Sequence, residues 1–264
     1  MRKSLGVLTG VLVVLVLTAQ PARAVEYRLD AALAVYRWVE DVAPIYPEEL
    51  GPMVLLGGFV SGSPSSAMPA LTLRGDVRVM LGRVNYDTAL ISDPTTPINT
   101  QTTYAGMIQE GTVGWRKARG SWRAEPFVGV AYRWWLRQIE STGNVEGYPE
   151  WYYTIVGRLG LRLDQTASAG WRLYGVFSAD PLLWATEVID LTDATGEALY
   201  VENGLNIGWT LELGLRQPQA DLGVFWQAVR LGESNVVSCS ISTSGCLQPK
   251  SEQDIIGVKL GVTF

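Results

Sequence analysis

The chain has 264 residues, a formal net charge of −5, two cysteines and no histidine. An acidic chain without a basic cluster argues against nucleic acid as a partner. Without an imidazole, hydrolases built on a Ser-His pair or a His-Asp dyad lack their base, and a zinc site lacks most of its usual ligands. No catalytic residue, metal ligand or cofactor is therefore expected.

Residues 1–24 carry a basic start (Arg2, Lys3), an apolar run from Leu5 to Ala19 and a small-residue ending, Ala22-Arg23-Ala24. That is the pattern of a secretory signal peptide cut after Ala24, which leaves 25–264 as one domain. Three of the 21 basic residues and none of the 26 acidic ones precede residue 25, so the remainder is more acidic still.

From Tyr27 on, the chain beats in twos. Tyr27, Leu29, Leu33 and Val35 alternate with Arg28, Asp30 and Tyr36 up to Glu40. A loop with two prolines over 41–50 leads to 51–62, which is apolar on both phases and leaves its facing open. The stretch 70–87 sets Leu71, Leu73, Val77, Val79 and Leu81 against Thr72, Arg74, Asp76 and Arg78. Residues 88–101, with two prolines and several threonines, read as a long loop, and 102–117 as the next strand. The clearest strand is 121–137. One face there is Trp122, Ala124, Pro126, Val128, Val130, Tyr132, Trp134 and Leu136; the other holds Arg123, Glu125, Arg133 and Arg137 among small and aromatic residues. Alternate side chains of a strand point to opposite faces. At the rise and tilt usual for membrane strands, Trp122 and Trp134 stand about 30 Å apart along a bilayer normal, the spacing of two aromatic belts.

Strands follow at 150–163, 170–189, 199–216 and 221–237, and a last one ends on Val262-Thr263-Phe264. Pro181 cannot donate to a ladder, so a bulge near Asp180 is expected to turn Leu182 and Trp184 outward. The count is ten strands, with eight as the alternative. Strands of about 14 to 20 residues are far longer than the usual 5–6 of soluble sheets. The odd connectors (41–50, 88–101, 140–149, 190–197, 238–252) are mostly long or charged, and the even ones (61–69, 118–120, 164–169, 217–220) mostly short. Tyr27, Trp115, Trp122, Trp171 and Phe264 gather at one end of the strands; Trp38, Tyr86, Trp134, Trp151, Tyr153 and Trp184 gather at the other.

Alternating strands, two aromatic belts and a terminal Phe264 resemble the bacterial outer-membrane β-barrel proteins as a class, over the whole of 25–264. The resemblance implies an all-β, closed antiparallel transmembrane barrel integral to the outer membrane. Short turns and both termini would be periplasmic and the long loops extracellular. It also implies that Phe264 is the signal read by the barrel-assembly machinery. A ten-strand count is similar to omptin-type proteases and to certain surface adhesins, but the omptin-like reading loses its base with the missing histidine.

The inward phase defines a charge network: Arg74, Asp76, Arg78, Glu110, Arg123, Glu125, Arg133, Arg158, Arg162, Glu202, Glu212 and Arg216. A ten-strand bore is only slightly wider than one that side chains fill, so these charges read as ion pairs plugging the lumen or as the lining of a narrow passage. Cys239 and Cys246 read as a disulfide in the last outer loop. Arg37 and Arg83 break the apolar phase near the outer strand ends, where lipopolysaccharide phosphates or simple snorkelling to the headgroups would accommodate them. The expectation is a monomeric or weakly associated, non-enzymatic barrel with a structural or surface-binding role. A narrow porin-like channel is the alternative. A hydrolase built on loop carboxylates (Glu48, Glu49, Glu146, Glu150, Asp190, Asp193, Glu197) is the weaker one.

Overall fold

The computed structural model describes residues 25–90, 93–143, 145–167, 170–240 and 242–264; the predicted signal peptide lies outside them. Among the described residues fourteen strands form, and ten of them pair in a ring. These ten are β1 (Glu26–Glu40), β2 (Glu48–Gly62), β3 (Leu71–Leu90), β4 (Asp93–Trp115), β6 (Trp122–Ile139), β7 (Pro149–Thr166), β8 (Arg172–Leu191), β10 (Ile207–Arg216), β11 (Ala220–Ser234) and β14 (Ser251–Thr263). Every pairing is antiparallel. The ring returns on itself through β8–β10, β10–β11, β11–β14 and β14–β1. β5 (Lys117–Arg119) extends the β4–β6 turn, and β9 (Glu197–Gly204) continues the line of β10. β12 (Val237–Cys239) and β13 (Ser242–Cys246) make a separate small hairpin.

The alternation read from the sequence sets the faces. Along β1, Arg28 to Glu40 on the even phase are buried in the ring, while Leu29, Leu33 and Val35 are exposed, Leu33 by 71%. The odd phase of 51–62, ambiguous in sequence, points inward through Met53, Leu55 and Phe59. Glycines admit the larger inward rings. Gly160 and Gly214 lie under the rings of Phe127 and Tyr174, where a Cβ would collide with them. The apolar exterior runs around all ten strands, and no helix among the described residues is long and apolar enough to cross a bilayer. Apolar surface on this scale is far beyond the patches a water-soluble monomer carries; it suits hydrocarbon, where a ring leaves no unpaired strand edge.

Several expectations need correction. Residues 88–101 are mostly strand: β3 and β4 continue as a hairpin with Asp87 opposite Asn99 and Ala89 opposite Pro97. Pro94 and Pro97 are tolerated because β6 joins β4 only from Thr102, leaving the other edge of that segment open. The bulge in β8 falls at Leu183, after Ile155–Trp184 and before Val156–Leu182, so Leu182 stays inside and Leu183 and Trp184 face out. Opposite it the chain breaks between β9 and β10, and Leu182 N–H donates to the Asn206 carbonyl at 2.8 Å. That break flips the phase of β9: Val201 and Asn203 are buried and Glu202, expected inside, is exposed. Trp38 and Tyr86, expected in the outer belt, face inward.

The strands' ends fall into two groups. The termini share one end with the shorter turns, and Phe264 N–H donates to the Tyr27 carbonyl at 2.9 Å. We call this the inner end and the opposite one the outer end.

Candidate functional site

The interior of the ring is divided in two. Its outer part is a solid core. Tyr36, Trp38, Met53, Leu55, Met80, Tyr104, Ala131, Trp135, Tyr152 and Val156 are among its buried members. Trp135 and Tyr152 stack with centroids 4.8 Å apart, and Trp38 meets both rings edge-on. At its centre Arg137, 1% exposed, ion-pairs with three glutamates from three strands: Glu40 at 2.9 Å, Glu49 at 2.8 Å and Glu150 at 2.6 Å. Further donors complete them. Trp38 Nε1 donates to Glu40, the hydroxyls of Thr102 and Tyr104 to Glu49, and Tyr152 to Glu150. Glu187 is buried on the same side of β8, opposite Tyr152. Among the described residues no three such side chains are arranged to hold a metal ion.

Glu49 and Glu150 were read with the loop acids, yet they are interior residues. The signal was present in phase alone: Glu150 shares the inward phase of Tyr152 and Thr154, and Arg137 that of Arg133 and Trp135. The other loop acids that the structure describes are singly engaged or exposed. Glu48 pairs with Arg37, Glu197 accepts from Ser240 N–H at 3.0 Å, and Asp190 accepts from Thr192 beside a one-turn helix, α1 (Thr192–Thr195); Glu146 is exposed. The side chain of Asp193 lies outside the described residues. No two of the described loop acids form a carboxylate pair facing a cleft among these contacts.

The inner part of the interior holds a cavity with about 110 Å³ of water-sized space, lined from Ala32, Leu55 and Ile108 to Glu26, Ser61 and Arg116 at the inner end. Nine of the twelve residues of the expected network line it: Arg74, Asp76, Arg78, Glu110, Glu125, Arg158, Arg162, Glu212 and Arg216. Glu125 accepts from Arg116 at 2.9 Å and Arg162 at 2.8 Å. Arg158 bridges Glu110 at 2.5 Å and Asp180 at 2.8 Å. Arg74 and Arg162 lie over the rings of Phe59 and Phe127, at 3.7 and 3.9 Å from their centroids. Arg133 is buried above the cavity, 3.9 Å from Asp180. Arg123 stands at the inner rim beside Asp164, and Glu202 is outside. Sequence reasoning did not single out Arg28, which pairs with Asp221, or Lys259, which pairs with Glu212; both lie on the inward phase.

On the exterior, Arg37 and Arg83 are exposed near the outer strand ends and each is already paired, with Glu48 at 2.6 Å and Glu140 at 2.8 Å. Cys239 and Cys246 are joined by a disulfide across the β12–β13 hairpin, seven residues apart in sequence. Because that hairpin is off the ring, Cys239→Ser is expected to leave the unfolding midpoint of the ring unchanged and to speed cleavage of the outer loop. Limited proteolysis of folded protein checks this.

No protein-family model matches the chain, and no curated protein matches it by sequence. Solved structures do. The outer membrane protease OmpT from Escherichia coli superposes with a TM-score of 0.55 at 10% identity, over 92% of this chain and 99% of that one. A major outer membrane protein from Thermus thermophilus covers 92% of this chain and 100% of its own at 12% identity, with a TM-score of 0.43. The fold is that of a bacterial outer-membrane β-barrel. Identity this low carries fold and nothing of activity. On this barrel the greasy belt is the outer surface, and the polar and aromatic clusters above are the contents of the lumen.

Proposed function

We propose that the chain is an integral outer-membrane barrel with a sealed lumen, acting as a structural or surface-binding protein through its outer loops. In this reading the ring is a closed barrel, both termini are periplasmic, and the β3–β4 hairpin and the disulfide hairpin project from the cell. The observation that carries it is the packed outer half of the lumen, where Arg137 and its three glutamates are locked among stacked tryptophan and tyrosine rings. Nothing the size of a hydrated ion passes a core filled to this degree without moving those rings. In planar bilayers the purified protein is expected to stay silent; steady, reproducible single-channel steps would sink the sealed-lumen reading.

A channel remains the second reading because the inner half of the lumen does hold water-sized space. No catalysis is proposed. The protease activity of the Escherichia coli neighbour is not carried over, since the chain has no histidine, and of the described loop acids Glu49 and Glu150 are held by Arg137 in the core while Glu48, Asp190 and Glu197 make separate local contacts. Arg37 and Arg83 belong at the headgroup level facing lipopolysaccharide, and their ion pairs leave them little net charge for its phosphates. Phe264, exposed at the inner end, is proposed as the mark read by the assembly machinery. A monomer fits a ring without a free edge.

A further inference from the structure

We propose that the inner chamber of the lumen is a binding site for a small oxyanion entering from the inner end. This goes beyond the sealed-barrel reading and does not depend on it. Four of the chamber's carboxylates already hold cations: Asp76 pairs with Arg74, Glu110 with Arg158, Glu125 with Arg116 and Arg162, and Glu212 with Lys259; Glu26 and Asp164 stand at its inner end. Two guanidinium groups are held more loosely. Arg78 is ion-paired with Asp30 and Asp76 at 3.9 and 3.8 Å, both beyond hydrogen-bond distance, and makes no shorter pair among the described residues. Arg216 lies over the Tyr174 ring, 4.7 Å from its centroid, and its Nε is buried without a partner. Both line the same cavity.

A guanidinium offers five N–H donors in a planar fork that matches phosphate, sulfate or carboxylate oxygens. Arg216 is held against a ring and Arg74 against Phe59, so less side-chain freedom is lost when an anion is bound. The space exceeds what a single water needs, and the chamber reaches the inner end at Glu26, Ser61 and Arg116.

The test is titration of the detergent-folded protein with inorganic phosphate, by calorimetry and phosphorus NMR, at an ionic strength held constant with sodium chloride. Saturable binding displaced by sulfate is expected. Arg78→Gln and Arg216→Gln should each weaken it by about tenfold, the value of a charge-assisted hydrogen bond. Arg78→Lys, which keeps the charge and loses the fork, should weaken it less, and Lys250→Gln on the outer loop should leave it unchanged. Unboiled gel mobility verifies that each variant is folded. Absence of saturable binding to the folded wild type would overturn the site and leave water as its occupant. So would binding that Arg78→Gln and Arg216→Gln leave intact. Conductance reads the other proposal separately: a conducting protein that binds phosphate sinks the sealed lumen and keeps this site, and a silent protein that binds none does the reverse.

Discussion

Arg137→Ala is expected to destabilise the folded barrel by about 3–5 kcal/mol, the usual cost of removing one partner of a buried charge cluster. Glu40, Glu49 and Glu150 converge on this single guanidinium, and Glu187 is buried on the same side. Without Arg137 these carboxylates face one another in a medium that screens poorly. Hydroxyl and indole donors remain, but none carries a positive charge. Arg137→Lys should recover only part of the loss, because an ammonium cannot fork onto carboxylates bidentately as a guanidinium does. Adding Glu150→Gln to Arg137→Ala should also recover part, since it removes one of the repelling charges. Denaturant unfolding in lipid or detergent, followed by tryptophan fluorescence, reports it directly because Trp38 and Trp135 pack in the same core. An unchanged midpoint would mean that the outer half is not held together by this cluster, and the case for a sealed lumen would lose its centre.

Val128→Arg is expected to cost about 2–4 kcal/mol in a bilayer, the penalty for arginine at the midplane of a barrel's lipid face. Val128 is 54% exposed and sits midway between Trp122 and Trp134 on β6, flanked by Val113 and Leu159 on the neighbouring strands. The environment decides the sign. In water, an exposed valine accepts arginine with a change within about 0.5 kcal/mol. Refolding into lipid vesicles, with unfolding titrated by denaturant, separates the two cases. Val128→Leu is the control, since it keeps the face apolar. A Val128→Arg protein as stable in lipid as the parent would show that this face does not meet hydrocarbon.

Much of this architecture was legible without coordinates. On β1 and β6 the two-residue period named both faces correctly, from Arg28 to Tyr36 and from Arg123 to Arg137. It worked because a strand's alternation is local, set by the backbone of each residue. The period failed wherever one residue was inserted. The bulge in β8 falls at Leu183 and not near Asp180, so Leu182 keeps the inward phase while Trp184 faces out as expected; the break between β9 and β10 reverses the phase again and puts Glu202 outside; a slip of one residue exchanges the two faces. Loops were misread for a related reason. Proline and threonine between 88 and 101 suggested a turn, but an extended hairpin with an open edge accommodates proline and favours threonine.

What the sequence by itself determined is therefore the kind of surface this protein shows: long strands, apolar outside, charged and aromatic inside. Tertiary structure alone decided how the inside is spent. Arg137 meets Glu49 across 88 residues of chain and Arg158 meets Glu110 across 48. Periodicity tells which way a side chain points and carries no information on what it meets across the ring. The division into a packed outer half and an open inner one follows from those meetings, because side-chain volumes fill the bore only where the large rings converge.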